Sequence, residues 1–144
     1  MNPTAQPLDP ARERILLLTL AGIQFAHILD FMVMMPLGPI LIRELGIGTH
    51  EFGLLVSAYT FSAAISGVLA ATFVDRFERK RLLLVMFAFF ALATLACGLA
   101  PGFWLLMTAR CAAGAFGGVL GSMVQTMVGD LIPFERRGRA SGTI

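Results

Sequence analysis

Residues 15 to 42 read ILLLTLAGIQFAHILDFMVMMPLGPILI. The run exceeds the roughly 20 apolar residues that carry a helix across the ~30 Å hydrocarbon core of a bilayer. An amide, an imidazole and a carboxylate interrupt it: Gln24, His27 and Asp30. At about 100° per residue these three fall with Phe31 and Met34 inside an arc of roughly 120°, so a helix presents them on one face. A carboxylate at mid-bilayer costs about 3 kcal/mol on insertion scales, while some fifteen Leu, Ile, Phe and Val in this run contribute about −0.3 to −0.6 kcal/mol each. Insertion tolerates Asp30 without explaining it. Acids inside a membrane normally face a bundle interior or a water-filled cavity and mark an ion or substrate path. A purely structural use is also open, with Asp30 bonded to His27 one turn away or to a neighbouring helix. A metal site at His27 and Asp30 lacks a third ligand, because His50 falls in a turn beyond the span.

Three further apolar runs follow, at about 52–74, 82–99 and 103–129. Of the 144 residues 57% are hydrophobic and 14% charged, where a soluble domain carries nearer a quarter charged. Mean hydropathy is +0.80. This predicts an all-α, polytopic membrane protein with four transmembrane helices. A lone span must satisfy its own backbone hydrogen bonds, and nothing alternates long enough for barrel strands. The opening MNPTAQPLDPARER reads as a disordered tail over residues 1–14, since the span behind it is too long and too polar at its centre for a cleaved signal. Residues 15–139 then form a single four-helix unit with short turns. Residues 140–144, ASGTI, read as the start of a truncated fifth helix.

Nine of the eleven Lys and Arg fall in three places: Arg12 and Arg14, then Arg76, Arg79, Lys80 and Arg81, then Arg136, Arg137 and Arg139. The excess of basic residues on cytoplasmic loops places the N-terminus and the loops 75–81 and 130–139 in the cytoplasm, and the GTHEF and LAPG turns outside. The expected location is an integral, multi-pass position in a bacterial inner membrane. These short basic loops meet anionic headgroups rather than nucleic acid. Cys97 and Cys111 lie within predicted helices and pack as small apolar residues. No cofactor or metal is expected, and an enzyme reading finds no nucleophile and base, phosphate loop or metal cluster to build on.

Span two carries small residues in step, Ser62, Ser66 and Ala70, then Ala63, Gly67 and Ala71. Span four does the same with Gly114, Gly118 and Ser122, and with Ala113, Gly117 and Gly121. Such rows let membrane helices approach closely, either for tight packing alone or for surfaces that also slide. Span three, with Thr94 as nearly its only polar group, is expected to face lipid over much of its circumference. Span four also bears a stripe of Arg110, Gly114, Gly117, Gly118, Gly121 and Gln125, polar at two points and nearly bare between, the profile of a helix lining a cavity. Counting ~1.5 Å per residue from each span's middle, Asp30 lies roughly 2 Å and Arg110 roughly 9 Å toward the outside, a gap that a guanidinium side chain or one water can bridge. Burial favours the neutral form of a carboxyl group and a nearby guanidinium favours the charged form. A movement that separates the two groups therefore changes the hold on a proton, and proton binding biases the conformation in return. Asp30 is the expected coupling-proton site, tuned by Arg110.

Residues 71–83, ATFVDRFERKRLL, resemble the loop between helices two and three of the major facilitator superfamily, whose signature is roughly G-x-x-x-D-R-x-G-R-[RK]. Asp75, Arg76, Arg79 and Lys80 match its acidic and basic positions, while Ala71 and Glu78 stand where two family glycines fall. RCAAGAFGG at 110–118 is similar to the family's helix-four pattern through Arg110 and Gly114. GDLIPFERRGRASG resembles the cytoplasmic loop that follows, and DFMVMMPLGP the acid-then-proline pattern of helix one in drug-exporter branches. The resemblance implies helices one to four of a twelve-helix fold, with substrate bound between two six-helix halves and access alternating by rocking. It implies that the loop at Asp75 gates the cytoplasmic side, beside its plain use as a topological anchor.

The resulting expectation is a proton-linked transporter, an antiporter exporting a small, largely apolar solute. Its partners are protons, that solute, the bilayer and the missing C-terminal helices of the same protein. The thioethers of Met32, Met34 and Met35 suit variable apolar ligands. Rival readings are a uniporter or symporter for sugars or organic acids, a complete four-helix exporter that oligomerises, and a non-transporting assembly subunit.

Overall fold

The computed structural model describes residues 9–132 and 134–143. Among the described residues five α-helices follow one another: α1 Pro10–Leu45, α2 Thr49–Phe73, α3 Arg79–Leu99, α4 Phe103–Leu131 and α5 Phe134–Thr143. Among the described residues there is no strand. The first four helices are long and apolar enough to cross a membrane.

Several boundaries differ from those the hydropathy predicts, each for a local reason. Helix α1 opens at Pro10, so residues 10–14 are helical rather than tail, while residues 1–8 of the expected tail lie outside the described residues. Proline at the first helical position has no N–H to leave unpaired, and the N–H of Glu13 reaches the Asp9 carbonyl at 2.9 Å. At ~1.5 Å per residue α1 extends about 54 Å, longer than the hydrocarbon core, so it tilts or projects beyond it. The helix runs on through Pro36 and Pro39, which leave the carbonyls of Met32 and Met35 without their intrahelical donors. It ends where Gly46 adopts φ 62°, a left-handed cap whose N–H, with that of Ile47, returns to the Ile42 carbonyl.

The basic loops are shorter than expected. Residues 79–81 of the predicted loop 75–81 already belong to α3, after a 3₁₀ turn at Val74–Arg76. Most of loop 130–139 is helical too: α4 continues to Leu131 and α5 starts at Phe134. Residues 140–143 therefore finish α5 instead of starting a new helix, and Ile144 lies outside the described residues. Neither departure from the family glycines strains the 74–79 turn. Glu78 sits at φ −63° and ψ 113°, open to any residue, and Ala71 is exposed.

Helix α4 is the central pillar. Twelve of its residues are buried, against three each in α1, α2 and α3. Leu120, Met123, Val124 and Met127 collect Leu20 of α1, Ala70 of α2, Leu83 and Phe90 of α3 and Ala140 of α5 into one apolar cluster. A smaller cluster joins Met34, Leu55 and Leu106. The closest seam is between α2 and α4, where the two small-residue rows meet. A side chain at Gly114 would run into the backbone of Tyr59, and one at Gly118 into Ala63 and Ser66. Hydroxyls finish the seam: Ser62 donates to the Cys111 carbonyl at 2.6 Å and Ser122 to the Gly67 carbonyl at 3.1 Å. Gly121 takes no part, since the space beside it is open. The remaining faces carry exposed apolar side chains such as Phe25, Phe61, Val68 and Leu92, suited to acyl chains.

Gly118→Val is expected to lower the stability of the purified protein in detergent by about 1–3 kcal/mol through overpacking. Gly121→Ala should be neutral or gain up to about 1 kcal/mol from helix propensity. Thermal unfolding of both variants checks the seam, and equal effects would refute it.

Candidate functional site

The polar face of α1 and the Arg110 end of α4 meet inside the bundle. Arg110 Nη1 donates to Asp30 Oδ2 at 3.1 Å, and the two side chains are 2% and 8% exposed. The gap inferred from span midpoints is closed by the guanidinium itself, without an intervening group. Asp30 is thus bonded to a neighbouring helix, and among the described residues the alternative partner His27 makes no hydrogen bond through either ring nitrogen.

Tyr59 of α2 completes the arrangement, and no sequence motif had singled it out. The Arg110 guanidinium carbon stands 4.3 Å over the centroid of its ring. A desolvated contact of this kind is worth about 2 kcal/mol or more. The same ring meets Phe31 at 5.7 Å and stacks on His27 at 6.0 Å. His27 in turn fills the place of a missing side chain: a Cβ at Gly117 would sit 2.7 Å from its Nε2. The signal for Tyr59 lay in its spacing. It is the chain's lone tyrosine and heads the Ala63, Gly67 row that faces α4.

The stripe on α4 is therefore no bare cavity wall. Tyr59, His27 and Ala63 occupy the volume that Gly114, Gly117 and Gly118 leave free. Gly121 and the exposed Gln125 turn away from this contact. Gln24 is half-buried one turn before His27, and Met34 packs in the apolar cluster with Leu55 and Leu106 rather than beside the ion pair. The open space lies elsewhere, in a groove of about 650 Å³ between α1 and α3. Its walls include Leu29, Val33, Phe87, Phe90 and Leu95, with Asp30 and Thr94 as polar points.

Breaking a buried ion pair by removing one partner costs about 3–5 kcal/mol, because the other charge is left uncompensated. Asp30 and Arg110 are thus held together unless a proton, water or a polar solute replaces one of them. The surroundings are ready to supply hydrogen bonds. Arg110 Nε and Nη2, Tyr59 Oη, Thr94 Oγ1 and both His27 nitrogens are buried and make no hydrogen bond among the described residues. Most of these are donors, so the cluster matches an incoming oxygen acceptor. Among the described residues no three His, Cys, Asp or Glu side chains are grouped to hold a metal ion.

A second charged site lies at the end of the bundle where α3 begins. Arg79 bridges Asp75 at 3.2 Å and also pairs with Asp130 near the end of α4. Both carboxylates offset a guanidinium at an α3 N-terminus whose own partial charge is positive. Arg76 and Lys80, the other basic members of the motif, are exposed. Asp130 stands inside the GDLIPFERRGRASG segment, whose resemblance to the family loop does not single it out as a partner of Arg79. The signal was an acid at the level of a basic cluster.

Comparison with known proteins identifies the family. The family model of the Major Facilitator Superfamily matches residues 20–144. The uncharacterized MFS-type transporter YhcA of Bacillus subtilis is 30% identical over 89% of this chain and 24% of its own length. A D-xylose transporter of Levilactobacillus brevis is 28% identical over 69% of the chain and 22% of its length. The efflux pump dotC of Dothistroma septosporum is 39% identical over 61% of the chain and 15% of its length. The chain thus spans less than a quarter of each of these relatives. No solved structure matches it. With four membrane-length helices, the acidic and basic loop motif and the family model over most of its residues, the chain belongs to the major facilitator superfamily of multi-pass membrane transporters.

Proposed function

We propose that this chain forms the proton-handling part of a secondary transporter that exports a small, largely apolar solute by alternating access. The observation that carries the reading is the buried Asp30–Arg110 pair, placed between α1 and α4 at the edge of an apolar groove. Taking up a proton neutralises Asp30 and releases Arg110 toward other acceptors. Losing it restores the attraction. If the two states differ in the spacing of α1 and α4, the proton gradient drives the exchange between them. His27 and Tyr59 shape the pocket in which this occurs, and Gln24, Met34 and Gln125 are proposed to lie along the solute path.

The apolar lining of the α1–α3 groove and the likeness to an efflux pump favour an apolar solute and export. Uptake of a polar solute is a second reading, favoured by the likeness to a D-xylose transporter. In either reading the chain works with further C-terminal helices of the same protein, a reading supported by its covering less than a quarter of these relatives. Asp75, Arg76, Arg79 and Lys80 form a gate on the cytoplasmic side, where Arg79 is released from Asp130 as the helices move. The N-terminus lies in the cytoplasm and the protein in a bacterial inner membrane, a reading supported by the basic residues at Arg12, Arg14 and the loop before α3.

In proteoliposomes holding the protein at its native length, Asp30→Asn is expected to abolish pH-gradient-driven flux, at least tenfold, while solute exchange without a gradient persists. Gradient-driven flux at the parental rate in that variant would end the proton-coupling reading. An apolar dye and a pentose offered in turn separate the two solute classes. At the gate, Arg79→Gln and Asp130→Asn should each slow transport several-fold. Their double variant should be no slower than either, since groups that act through one contact are not additive; independent, multiplying effects would place Asp130 outside the gate.

A further inference from the structure

The hydrogen-bonding capacity left over around the Asp30–Arg110 pair is nearly all of one kind. Asp30 takes Nη1 of the buried Arg110, while Nε and Nη2 make no hydrogen bond among the described residues. The buried Tyr59 adds an unpartnered Oη from α2, and Thr94 an unpartnered Oγ1 from α3. Guanidinium N–H groups only donate, and both hydroxyls can donate. His27, whose ring lies 6.0 Å from that of Phe90 in the groove wall, can donate through one nitrogen. The Cys97 thiol of α3 interacts with Arg110 as well, but sulfur is a weak acceptor and leaves those N–H groups unsatisfied. Four helices thus set donors about one carboxylate. Of these groups Asp30 and Thr94 stand in the wall of the α1–α3 groove.

Charge narrows what this arrangement can receive. The two opposite charges cancel across a 3.1 Å contact. An ammonium solute gains little from a carboxylate already held by a guanidinium, and it meets donors where it needs acceptors. A carboxylate solute would come up against Asp30 in the groove wall. A neutral carbonyl oxygen needs no counter-charge, costs little to desolvate beside an ion, and accepts hydrogen bonds without offering any. Leu29, Val33, Phe87 and Leu95 make the rest of the groove a fit for a hydrocarbon or aryl body. We infer that the solute is a neutral amphiphile, its apolar body in the α1–α3 groove and one carbonyl-type oxygen received by Thr94, Tyr59 and the spare N–H groups of Arg110. This rests on the reading of the chain as part of a solute exporter, and it names the chemical class of the solute.

The test is equilibrium binding of radiolabelled para-butyl acetophenone to the protein at its native length in nanodiscs, with partition into empty nanodiscs subtracted. Para-butyl ethylbenzene, para-butyl benzylammonium and para-butyl benzoate, which share the body and differ at the head, serve as competitors. The ketone is expected to bind at least tenfold more tightly than each, because a site built around hydrogen-bonding groups rejects the analogue that cannot pair them. Tyr59→Phe, which keeps the ring under Arg110, and Thr94→Val should each weaken ketone binding several-fold. Thr60→Val should not, since its hydroxyl is exposed and bonded to the Val56 carbonyl of its own helix. Equal binding of ketone and hydrocarbon, tighter binding of the ammonium or the benzoate, or parental affinity in both hydroxyl variants would each overturn the assignment. The competitor panel uses the parental protein, so it decides the matter even if a variant fails to fold. Binding is read without a gradient, so a failed panel overturns the solute class alone and leaves the flux test of proton coupling at Asp30 to stand or fall by itself.

Discussion

Where Gly114 and Gly118 lack side chains, the backbones of α2 and α4 lie in direct contact, and the rest of the interior is arranged around that contact. In hydrocarbon, helices gain nothing from burying leucine against leucine, so association depends on close packing and on hydrogen bonds between helices. The seam supplies both, through its glycines and through Ser62 and Ser122. It also fixes Tyr59 against α4 at the height of Arg110. The guanidinium is then held over a ring on one side and bonded to Asp30 on the other. A wider separation would leave the same charges in the bilayer without the contacts that compensate them.

The buried pair is poorly explained as a device for stability. Desolvating two ions costs several kcal/mol each, and well-packed apolar residues of similar volume often serve stability better. What a pair offers and leucine does not is a response to protons. The buried donors around it make no hydrogen bond among the described residues, whereas a site built only for rigidity would pair them internally. The charged cluster at Arg79 is a different case. Its carboxylates are substantially exposed, and exposed pairs contribute about 0–1 kcal/mol. Such a contact is weak enough to break and remake when the helix ends move.

The two charged sites also differ in what holds them. Asp30 and Arg110 are clamped between three helices, whereas Arg79 joins the first turn of α3 to the last turn of α4. A small relative movement at the ends of α3 and α4 therefore reaches Arg79 first. The Glu13–Arg136 tie has the same character at the junction of α1 and α5.

Hydropathy alone determined four membrane helices and their order, because crossing hydrocarbon demands long apolar runs whatever their neighbours. The polar face of α1 and the small-residue rows were legible too, since helical periodicity puts Gln24, His27 and Asp30, or Gly114 and Gly118, on common faces. Helix ends were read less well. The polar start of α1 is set by Pro10 and by the Glu13 N–H on the Asp9 carbonyl, and Arg136 ties α5 to α1 through Glu13, contacts that hydropathy ignores. Only the tertiary structure decided which faces met. It gave Asp30 to Arg110 rather than to His27, filled the glycine stripe with Tyr59 and His27, and left the groove between α1 and α3. The reason is that a helix's own sequence fixes the angle between its side chains, while the partner of each face depends on how closely two different helices can approach.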